Sequence, residues 1–454
     1  MSIQSVNPAT GEVLETFSAT SAAELQRVLA RAHTAFPQWR AVPFAERARL
    51  MREAARRLRD GRAEHARTMT LEMGKPITQA EAEVDKCALG CDYYAEHAEG
   101  FLAEQPRQSD ASRSYVSFDP LGPVLAVMPW NFPYWQVFRF AAPGLMAGDV
   151  AVLKHAANVP RCALAIARVF REAGFPEGVF STVLLESSRV AGLIADPRIA
   201  AVTLTGSGAA GSAVAAQAGR ELKKTVLELG GSDPFVVLED ADLAGAAKAA
   251  ADARLVNSGQ SCIAAKRFIV VEAVADPFLA RFADELRSRR MGDPLARDTQ
   301  VGPQARFDLR DELHRQVEES VKRGAKRLLG GEIPPGPGAF YPPTLLAGVD
   351  RGMPAFDEET FGPVAAVIQA KDEADALRLA NDSVYGLGAS LWTRDRRRAE
   401  LLAARIEAGM VFVNGIVKSD PRLPFGGIKR SGYGRELSEY GIREFVNIKT
   451  VWIA

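Results

Sequence analysis

Apolar strand-length segments and helical segments alternate from Pro123 to Leu229, and this pattern constrains the fold more than any other feature of the sequence. The predicted strands cover residues 124–128, 150–154, 179–185, 199–205 and 225–229. The predicted helices cover residues 135–147, 160–173 and 209–220. Strands that are apolar on both faces belong in a parallel sheet that helices cover on both sides. The sequence therefore predicts an α/β fold.

A second alternating unit begins near Ser232. Its predicted strands cover residues 235–238, 267–271, 364–368, 389–392 and 409–413. Its predicted helices cover residues 276–289 and 374–381. A chain of 454 residues is also too long for one ordinary hydrophobic core. We therefore expect two open parallel-sheet domains, preceded by a largely helical segment that ends near Gly100.

Composition excludes several classes of protein. Lys plus Arg and Asp plus Glu both number 56, so the net charge of zero gives no reason to expect nucleic acid or an anionic membrane as a partner. The longest apolar runs have strand length, and the chain opens without a signal or lipidation motif, so we expect a cytoplasmic protein. Four cysteines predict no disulfide framework. Cys87, Cys91 and His97 lack a second ligand pair, so no metal site is expected.

Three loop residues suggest chemistry. Cys262 lies in a short polar loop between a predicted helix at 243–255 and a predicted strand at 267–271. A free cysteine is more often buried and structural, but a thiol in a reachable loop can act as a nucleophile. Glu228 ends a strand beside two glycines, and Asn131 offers an amide that can donate to a developing oxyanion. Together these residues favour a catalytic cysteine over a structural one.

The three loops, with the segments at 7–11 and 424–432, resemble the aldehyde dehydrogenase superfamily in order and spacing over essentially the whole chain. The run at 131–139 is similar to that of the bacterial succinate-semialdehyde dehydrogenases. The resemblance implies two Rossmann-like parallel-sheet domains and a β-hairpin arm through which subunits associate. It also implies that Cys262 is the nucleophile, that its backbone N–H helps Asn131 to hold the oxyanion, and that Glu228 is the general base.

The same resemblance implies domain boundaries. A cofactor-binding domain would comprise residues 1–101, 121–230 and 431–443, and a catalytic domain residues 231–430. The oligomerisation arm would comprise residues 102–120 and 444–454. Ser114 to Phe118 alternates as a strand should, and an exposed strand presents unpaired backbone groups to a partner strand. We therefore expect a homo-oligomer, either a dimer or a tetramer.

A glycine-rich turn from Gly206 through Ser207 to Gly211 matches the dinucleotide-binding pattern Gly-x-Gly-x-x-Gly, after a strand and at the start of a helix. Such a helix start can hold a pyrophosphate. The generic pattern would make Glu228 a ribose ligand, but the family resemblance makes it the base, and we follow the resemblance. The resemblance also places Trp130, Glu359 and Phe361 at the cofactor, with Glu359 on the nicotinamide ribose and Phe361 near the ring.

Cofactor choice is predicted from two further positions that the resemblance identifies. Lys154 matches a lysine that contacts the adenosine ribose. Members that prefer NAD carry a glutamate three residues later, where this chain has Ala157. Because that anion is absent, a 2′-phosphate meets no repulsion there, and Lys154 and His155 would help to neutralise it. We expect NADP to be accepted, even preferred, with NAD also used.

The substrate is predicted from a helix face. Asn131, Trp135 and Arg139 are four residues apart, so a helix would align them. A guanidinium at the far end suits a substrate carboxylate, and the resemblance adds Ser419 and Phe425 to the substrate site. The expected reaction is the NADP- or NAD-dependent oxidation of succinic semialdehyde, a small aldehyde acid, to succinate through a thiohemiacetal and a thioester on Cys262.

Other functions remain open at this point. The substrate could be glutarate semialdehyde or an uncharged aliphatic aldehyde. A cysteine hydrolase would need a histidine base, and none of the five histidines lies in such a motif. A noncatalytic binding protein on the same scaffold would have no need of Cys262, Glu228 and Asn131 together.

Overall fold

The computed structural model describes residues 2–454, in which apolar runs form strands and amphipathic runs form helices. The strands are β1 Ser2–Val6, β2 Val13–Ser18, β3 Gln105–Pro106, β4 Arg113–Pro120, β5 Pro123–Met128, β6 Val150–His155, β7 Phe180–Val183, β8 Ala201–Thr205, β9 Lys224–Glu228, β10 Pro234–Val237, β11 Arg267–Val271, β12 Lys326–Leu329, β13 Thr344–Ala347, β14 Val364–Ala370, β15 Tyr385–Gly386, β16 Gly388–Trp392, β17 Met410–Val413, β18 Ile428–Lys429, β19 Gly432–Tyr433 and β20 Val446–Ile453.

The helices are α1 Ala22–Trp39, α2 Phe44–Asp60, α3 Arg62–Met73, α4 Ile77–Phe101, α5 Trp135–Ala147, α6 Pro160–Glu172, α7 Val190–Ala195, α8 Gly208–Arg220, α9 Leu243–Leu255, α10 Ala275–Arg287, α11 Phe307–Lys322, α12 Pro354–Asp357, α13 Glu373–Asn381, α14 Arg396–Ala403 and α15 Ser438–Ile442. Across residues 2–454, no helix is both long and apolar enough to span a membrane.

The first large sheet has six strands in the order β19-β9-β8-β5-β6-β7. Its pairs are parallel except for the last strand to join, because β19 runs antiparallel to β9. The strands β5, β6 and β8 are buried almost throughout, as the apolar runs predicted. The chain leaves β5 toward β6 and β7 on one side and later returns through β8 on the other side.

The second large sheet has seven strands in the order β12-β13-β14-β11-β10-β16-β17. Its pairs are parallel except for the β12–β13 pair at one edge. Two separate apolar clusters cover its two faces, and a third, larger cluster surrounds the six-stranded sheet. The α/β class and the two parallel sheets are confirmed, while the predicted domain boundaries stay a prediction.

A third, three-stranded sheet has the order β20-β4-β3 and is antiparallel. Its strand β20 comes from the C-terminal end of the chain and pairs with β4 along all eight residues of each strand. One edge of this sheet carries exposed apolar side chains, including those of Ile448 and Trp452, which are 64% and 53% exposed. These strands lie within the segments for which an arm was predicted.

Helices α4 and α5 connect the fold to the site. Every residue of α5 is buried, and α4 packs along it at Gly90, where an added Cβ would lie 3.2 Å from the Trp135 ring. The helix α5 begins directly after the loop that carries Asn131. The orientation of α5 therefore decides which of its side chains face the space around that loop.

Candidate active site

The site lies at a reversal of strand order. Because the chain leaves β5 in one direction and returns through β8 in the other, the loops that follow these two strands diverge and leave a crevice at their carboxyl ends. The loop after β5 carries Trp130 and Asn131, and the loop after β8 carries Gly206 and Ser207. Cys262, from the second sheet unit, closes the crevice, so both sheets contribute to one site.

The cysteine loop has an unusual backbone. Asn257, Ser258 and Gly259 have φ values of 52°, 56° and 77°, in the left-handed region that most residues avoid. An added Cβ on Gly259 would lie 2.2 Å from the carbonyl carbon of Gly362, so a glycine is required there. The two residues with side chains, Asn257 and Ser258, store conformational strain in this region. The close contact with Gly362 also ties the loop to the segment that carries Glu359 and Phe361.

Buried Lys266 holds the loop in place. Its ammonium donates to the carbonyl oxygens of Ser261, Cys262 and Ala264 at 3.0, 2.9 and 3.1 Å. Three backbone acceptors on one cation fix the path of the chain around the thiol. Lys266 Nζ also lies 3.6 Å from a carboxylate oxygen of Glu359.

The Asn131 amide is held across the two sheet units. Its Nδ2 donates to the Gln260 carbonyl at 3.0 Å, and its Oδ1 accepts from Gln136 Nε2 at 3.0 Å. In addition, Asn257 Nδ2 donates to the backbone carbonyl of Asn131 at 2.7 Å. The amide nitrogen has two hydrogens, so one remains for the cavity that Asn131 and Cys262 share. This geometry suits a fixed oxyanion donor.

The Cys262 thiol rests in its neutral form near neutral pH. Burial raises the pKa of this thiol to about 12, although Arg139 and Lys266 act in the opposite direction. A thiol with so high a pKa must lose its proton as it attacks a carbonyl group. A cation brought next to the sulfur would lower the pKa and favour the thiolate.

Glu228 is fully enclosed next to a charged pair. Burial, and then the neighbouring Glu436, raise the pKa of Glu228 well above its ordinary value. Within residues 2–454, neither of its carboxylate oxygens has a hydrogen-bond partner. A Cβ added to Gly426 would lie 2.7 Å from one of these oxygens, so the carboxylate packs against that glycine. A carboxyl group with a raised pKa suits a base that works near neutrality.

One cavity of about 250 Å³ lies on the cofactor side of Cys262. Trp130, Glu359 and Phe361 line it together with Gly206 and Ser207. The Trp130 and Phe361 rings meet edge to face, with centroids 5.7 Å apart. Ser207 caps α8, whose first N–H groups are available to a pyrophosphate. Free helix N–H groups, a carboxylate for ribose hydroxyls and an aromatic ring fit a nicotinamide dinucleotide.

Three other predicted cofactor residues lie apart from this cavity. Gly211 is buried in α8, and an added Cβ there would lie 2.6 Å from the Leu229 side chain. This glycine therefore lets α8 pack closely against the segment that follows β9. Lys154 is buried at the end of β6, where burial lowers its pKa. Ala157 lines a separate cavity of about 530 Å³ that Arg306 and Glu186 also border.

The expectation that His155 helps to neutralise a 2′-phosphate is wrong. The ring is buried; Nε2 donates to the Pro133 carbonyl at 2.8 Å, and Nδ1 accepts from the Ala156 N–H at 2.8 Å. Burial lowers the pKa of His155 to about 4, so the imidazole is neutral at physiological pH. It supplies neither a free donor nor a charge to a phosphate.

A second cavity, of about 430 Å³, lies on the other side of Cys262. The predicted substrate residues Trp135, Arg139, Ser419 and Phe425 all line it, so the structure brings these residues together. The remaining wall is largely apolar. A small aldehyde can therefore reach the thiol from this side while the dinucleotide occupies the other.

Arg139 is not a free cation. Its guanidinium forms a buried ion pair with Glu436 and lies over the Phe425 ring at 4.4 Å from the centroid. Its Nη2 also donates to Thr205 Oγ1 at 3.2 Å. The prediction of one helix face is confirmed for Trp135 and Arg139 but is wrong for Asn131, which lies in the loop before α5. The sequence pattern also gave no sign of the carboxylate partner of Arg139.

Lys86 of α4 lines the same cavity and was missed by the sequence analysis. Its Nζ donates to Ser419 Oγ at 2.6 Å, and Trp135 Nε1 donates to the same oxygen at 3.0 Å. The sequence indicates Lys86 only by its position in α4. It lies one helical turn after Glu83, which is buried, in a helix with many buried residues. A lysine on such a face of a helix is easily mistaken for a solvated one.

Glu83 and Lys75 were also missed, and they hold α5. A carboxylate oxygen of Glu83 accepts from the N–H groups of Tyr134 and Trp135 at 2.9 and 3.0 Å, at the start of α5. The other oxygen forms a fully buried ion pair with Lys75, whose ammonium lies 3.8 Å from the Phe132 ring centroid. An anion at a helix N-terminus is stabilising, so this pair fixes where α5 begins.

The profile described as the aldehyde dehydrogenase family matches residues 1–451. A probable succinate-semialdehyde dehydrogenase [NADP(+)] from Synechocystis is 54% identical over 454 residues, which cover 100% of both chains. The succinate semialdehyde dehydrogenase [NAD(P)+] Sad of Escherichia coli is 51% identical over 448 residues, covering 99% of this chain and 97% of that one.

Solved structures are also similar to this chain. The succinic semialdehyde dehydrogenase of Streptococcus pyogenes, solved in complex with NADP+, superimposes with a TM-score of 0.97 at 40% identity, with 99% of each chain covered. A structure of Gox0499, on cofactor and substrate selection by that protein, has a TM-score of 0.98 at 44% identity. The similarity covers 100% of both chains. Both similarities extend over essentially the whole chain.

Proposed function

The chain belongs to the aldehyde dehydrogenase family, and on that premise we propose that it oxidises succinic semialdehyde to succinate with NADP, and also with NAD. The observation that carries the proposal is the pair of cavities that meet at Cys262. One fits a dinucleotide, and the other fits a short chain with a distal anion. The names of the full-length relatives, at 50–54% identity, support the same substrate and cofactors.

The first half of the proposed mechanism is oxidation. The Cys262 thiol transfers its proton to solvent water, and the thiolate sulfur adds to the aldehyde carbon as the carbon–oxygen π bond opens, which gives the oxyanion form of a thiohemiacetal. Asn131 Nδ2 and the Cys262 N–H donate to the oxyanion, and each such donor contributes about 3 kcal/mol in the transition state. A nicotinamide dinucleotide held by Ser207, Trp130 and Glu359 would supply the acceptor for the hydride of this carbon. The product on the enzyme is a thioester.

The second half is hydrolysis. Glu228 takes a proton from water, the resulting hydroxide adds to the thioester carbon, and the carbon–sulfur bond breaks. Glu228 returns the proton to the departing sulfur, which restores the thiol, and the acid leaves and ionises to succinate. In the structure the Glu228 carboxyl lies against Gly426 and lines neither cavity. We propose that it moves toward the sulfur for this step, which the absence of any hydrogen bond to its oxygens within residues 2–454 permits.

Cofactor selection belongs to the proposal as well. Ala157 offers no carboxylate to repel a 2′-phosphate, while Lys154 is proposed to contact the adenosine ribose. With His155 neutral, we assign the cation for the phosphate to Lys154, and Arg306, which borders the cavity at Ala157, is a second cation nearby. A preference for NAD of more than about a hundredfold, or about 2.7 kcal/mol of discrimination, would contradict this part.

We also propose that the protein works as a homo-oligomer in the cytoplasm. The exposed apolar side chains of β20 support association, because an edge strand with such residues is stabilised by a partner. The four cysteines are unpaired within the described chain, which suits a reducing compartment. Light scattering of the purified protein tests the first point, with a monomer as the contrary result, and cell fractionation tests the second.

The deciding experiment compares two four-carbon aldehydes. The ratio kcat/KM is measured for succinic semialdehyde and for butyraldehyde, its uncharged analogue, each with NADP and with NAD. We expect a preference for the acid of at least about a hundredfold. Equal values would mean a broad aldehyde dehydrogenase, and no cofactor reduction with either aldehyde would contradict the proposed activity.

A further inference from the structure

Two of the cations that border the substrate cavity, the buried Arg139 and the half-buried Lys86, differ in their charge balance. Arg139 is paired with Glu436, and the two side chains are only 3% and 5% exposed. In a buried ion pair each charge is already compensated, and separating the two costs several kcal/mol. A substrate carboxylate that approached Arg139 would therefore also meet the negative charge of Glu436.

Lys86 has no such compensation. Its ammonium contacts Ser419 Oγ at 2.6 Å and the Trp135 ring at 4.6 Å from the centroid, and it forms no ion pair with any carboxylate of residues 2–454. Burial and the nearby Arg139 lower the pKa of Lys86 to about 8, so it is mainly charged at neutral pH. A half-buried, unpaired cation is stabilised by an incoming anion.

The surroundings of Lys86 specify the anion. Ser419 Oγ accepts two hydrogen bonds, from Lys86 and Trp135, so its own hydroxyl hydrogen remains for a ligand oxygen. The same cavity also includes Cys262 and the apolar Ile263 and Phe425. A ligand with a carboxylate at one end, a few methylene groups and a carbonyl at the other end matches this combination of polar and apolar contacts.

We propose that Lys86, acting with Ser419, binds the distal carboxylate of the substrate and sets the selectivity for aldehyde acids. This inference rests on the proposed function and names the residue that carries the charge. Arg139 then has a different task, because its contacts with Glu436, Thr205 and Phe425 position groups beside Glu228.

The test separates the two cations. Lys86→Met removes the charge and keeps the length of the side chain, and Lys86→Arg keeps a charge. We expect Lys86→Met to lower kcat/KM for succinic semialdehyde about a hundredfold and to change that for butyraldehyde less than about threefold. Lys86→Arg should restore much of the selectivity. Exposed Lys371, replaced by Met, controls for the change in net charge.

A binding measurement makes the test independent of turnover. Calorimetric titration with succinate should give a weaker affinity for Lys86→Met, also about a hundredfold, while Lys371→Met binds as the wild type does. Circular dichroism of each variant checks folding, and if Lys86→Met does not fold, Lys86→Gln takes its place. Unchanged succinate binding in a folded Lys86→Met protein would overturn the proposal.

Arg139→Met should give a different result from Lys86→Met. We expect it to lower kcat/KM for both aldehydes by a similar factor, because it disturbs the groups beside Glu228. If Arg139→Met abolished the preference for the acid and Lys86→Met did not, Arg139 would be the anchor and the proposal would be overturned. A wild-type enzyme that oxidises butyraldehyde as well as the acid would instead refute the proposed function, before any variant is made.

Discussion

The two cavities that meet at Cys262 are built in different ways. The cofactor side is formed by loops that follow strands, with Gly206 and Ser207 after β8 and Trp130 after β5. The substrate side includes side chains from the faces of two packed helices, and two of its charged groups, Lys86 and Arg139, come from α4 and α5. Loops at strand ends offer backbone groups, which every member of a fold can use, whereas helix faces offer side chains.

Because of this difference, substrate selection can change while the cofactor side stays the same. A backbone contact survives most substitutions, so the cofactor side can stay constant while side chains on α4 and α5 change the substrate. The thiol belongs to both cavities. Variants should therefore fall into classes according to whether they affect both sides or one side, and the following predictions test this from the largest effect to the smallest.

Replacement of the shared residue should abolish activity whatever the substrate. We expect Cys262→Ala to reduce the rate of cofactor reduction at least about 10⁴-fold with both aldehydes and both dinucleotides, because no other group supplies the nucleophile. Steady-state absorbance of the reduced cofactor measures it. Replacement of buried Cys162 by Ala is the matched control and should retain the activity. Residual oxidation of one aldehyde alone would show that the two cavities do not share one centre.

Glu228→Gln should stop only the second half of the reaction. We expect kcat to fall about 10³-fold, while a burst of reduced cofactor close to one per site survives in rapid mixing, since thioester formation does not need this base. In the wild type, the raised pKa of Glu228 means that the basic form increases with pH, so kcat should rise as the pH increases through that pKa. Loss of the burst would assign Glu228 to the oxidation step instead.

Ala157→Glu should affect the cofactor side alone. A carboxylate near the adenosine ribose would repel a 2′-phosphate, and we expect kcat/KM for NADP to fall about a hundredfold while that for NAD changes less than about threefold. The neutral variant Ala157→Gln, of the same size, should leave the ratio of the two values near that of the wild type. An equal loss for NADP and NAD would mean that Ala157 lies outside the cofactor site.

The smallest effect is expected on the substrate side, from pH. The pKa of Lys86 is lowered to about 8 by burial, then by Arg139, against opposing effects of Cys87, Glu83 and Asp420. The lysine is charged below that pH and neutral above it. The ratio of kcat/KM for succinic semialdehyde to that for butyraldehyde should therefore fall above about pH 8, by up to about tenfold per pH unit. A ratio that stays constant to pH 10 would exclude Lys86 as the anchor.

The sequence predicted the elements on which the site stands, but not all of its residues. The helices α5 and α9 and the strand β11 begin and end at the predicted residues, because a polar or turn residue lies within two positions of each end. The antiparallel strands β12 and β19 were not predicted. Their direction depends on partners distant in sequence, and a short run carries no sign of it.

Residues of the site were predictable where a motif surrounds them. Cys262, Glu228 and Asn131 lie in loops with recognisable neighbours. Lys86 does not, since its partner Ser419 is 333 residues away. His155 was mistaken for a charge because its burial depends on Pro133 and the packing of the whole sheet. Tertiary contacts therefore decide which polar residues carry charge in the site, and composition alone does not.

The hydrogen bonds that join Asn131 to Gln260 and Asn257 have a consequence for how the protein loses activity. They connect a loop of the six-stranded sheet to a loop of the seven-stranded one. A displacement of one sheet against the other by about the length of a single hydrogen bond would break them and move the oxyanion donor away from the sulfur. Heat inactivation should therefore precede the calorimetric unfolding of either sheet, and inactivation of this kind should reverse on cooling.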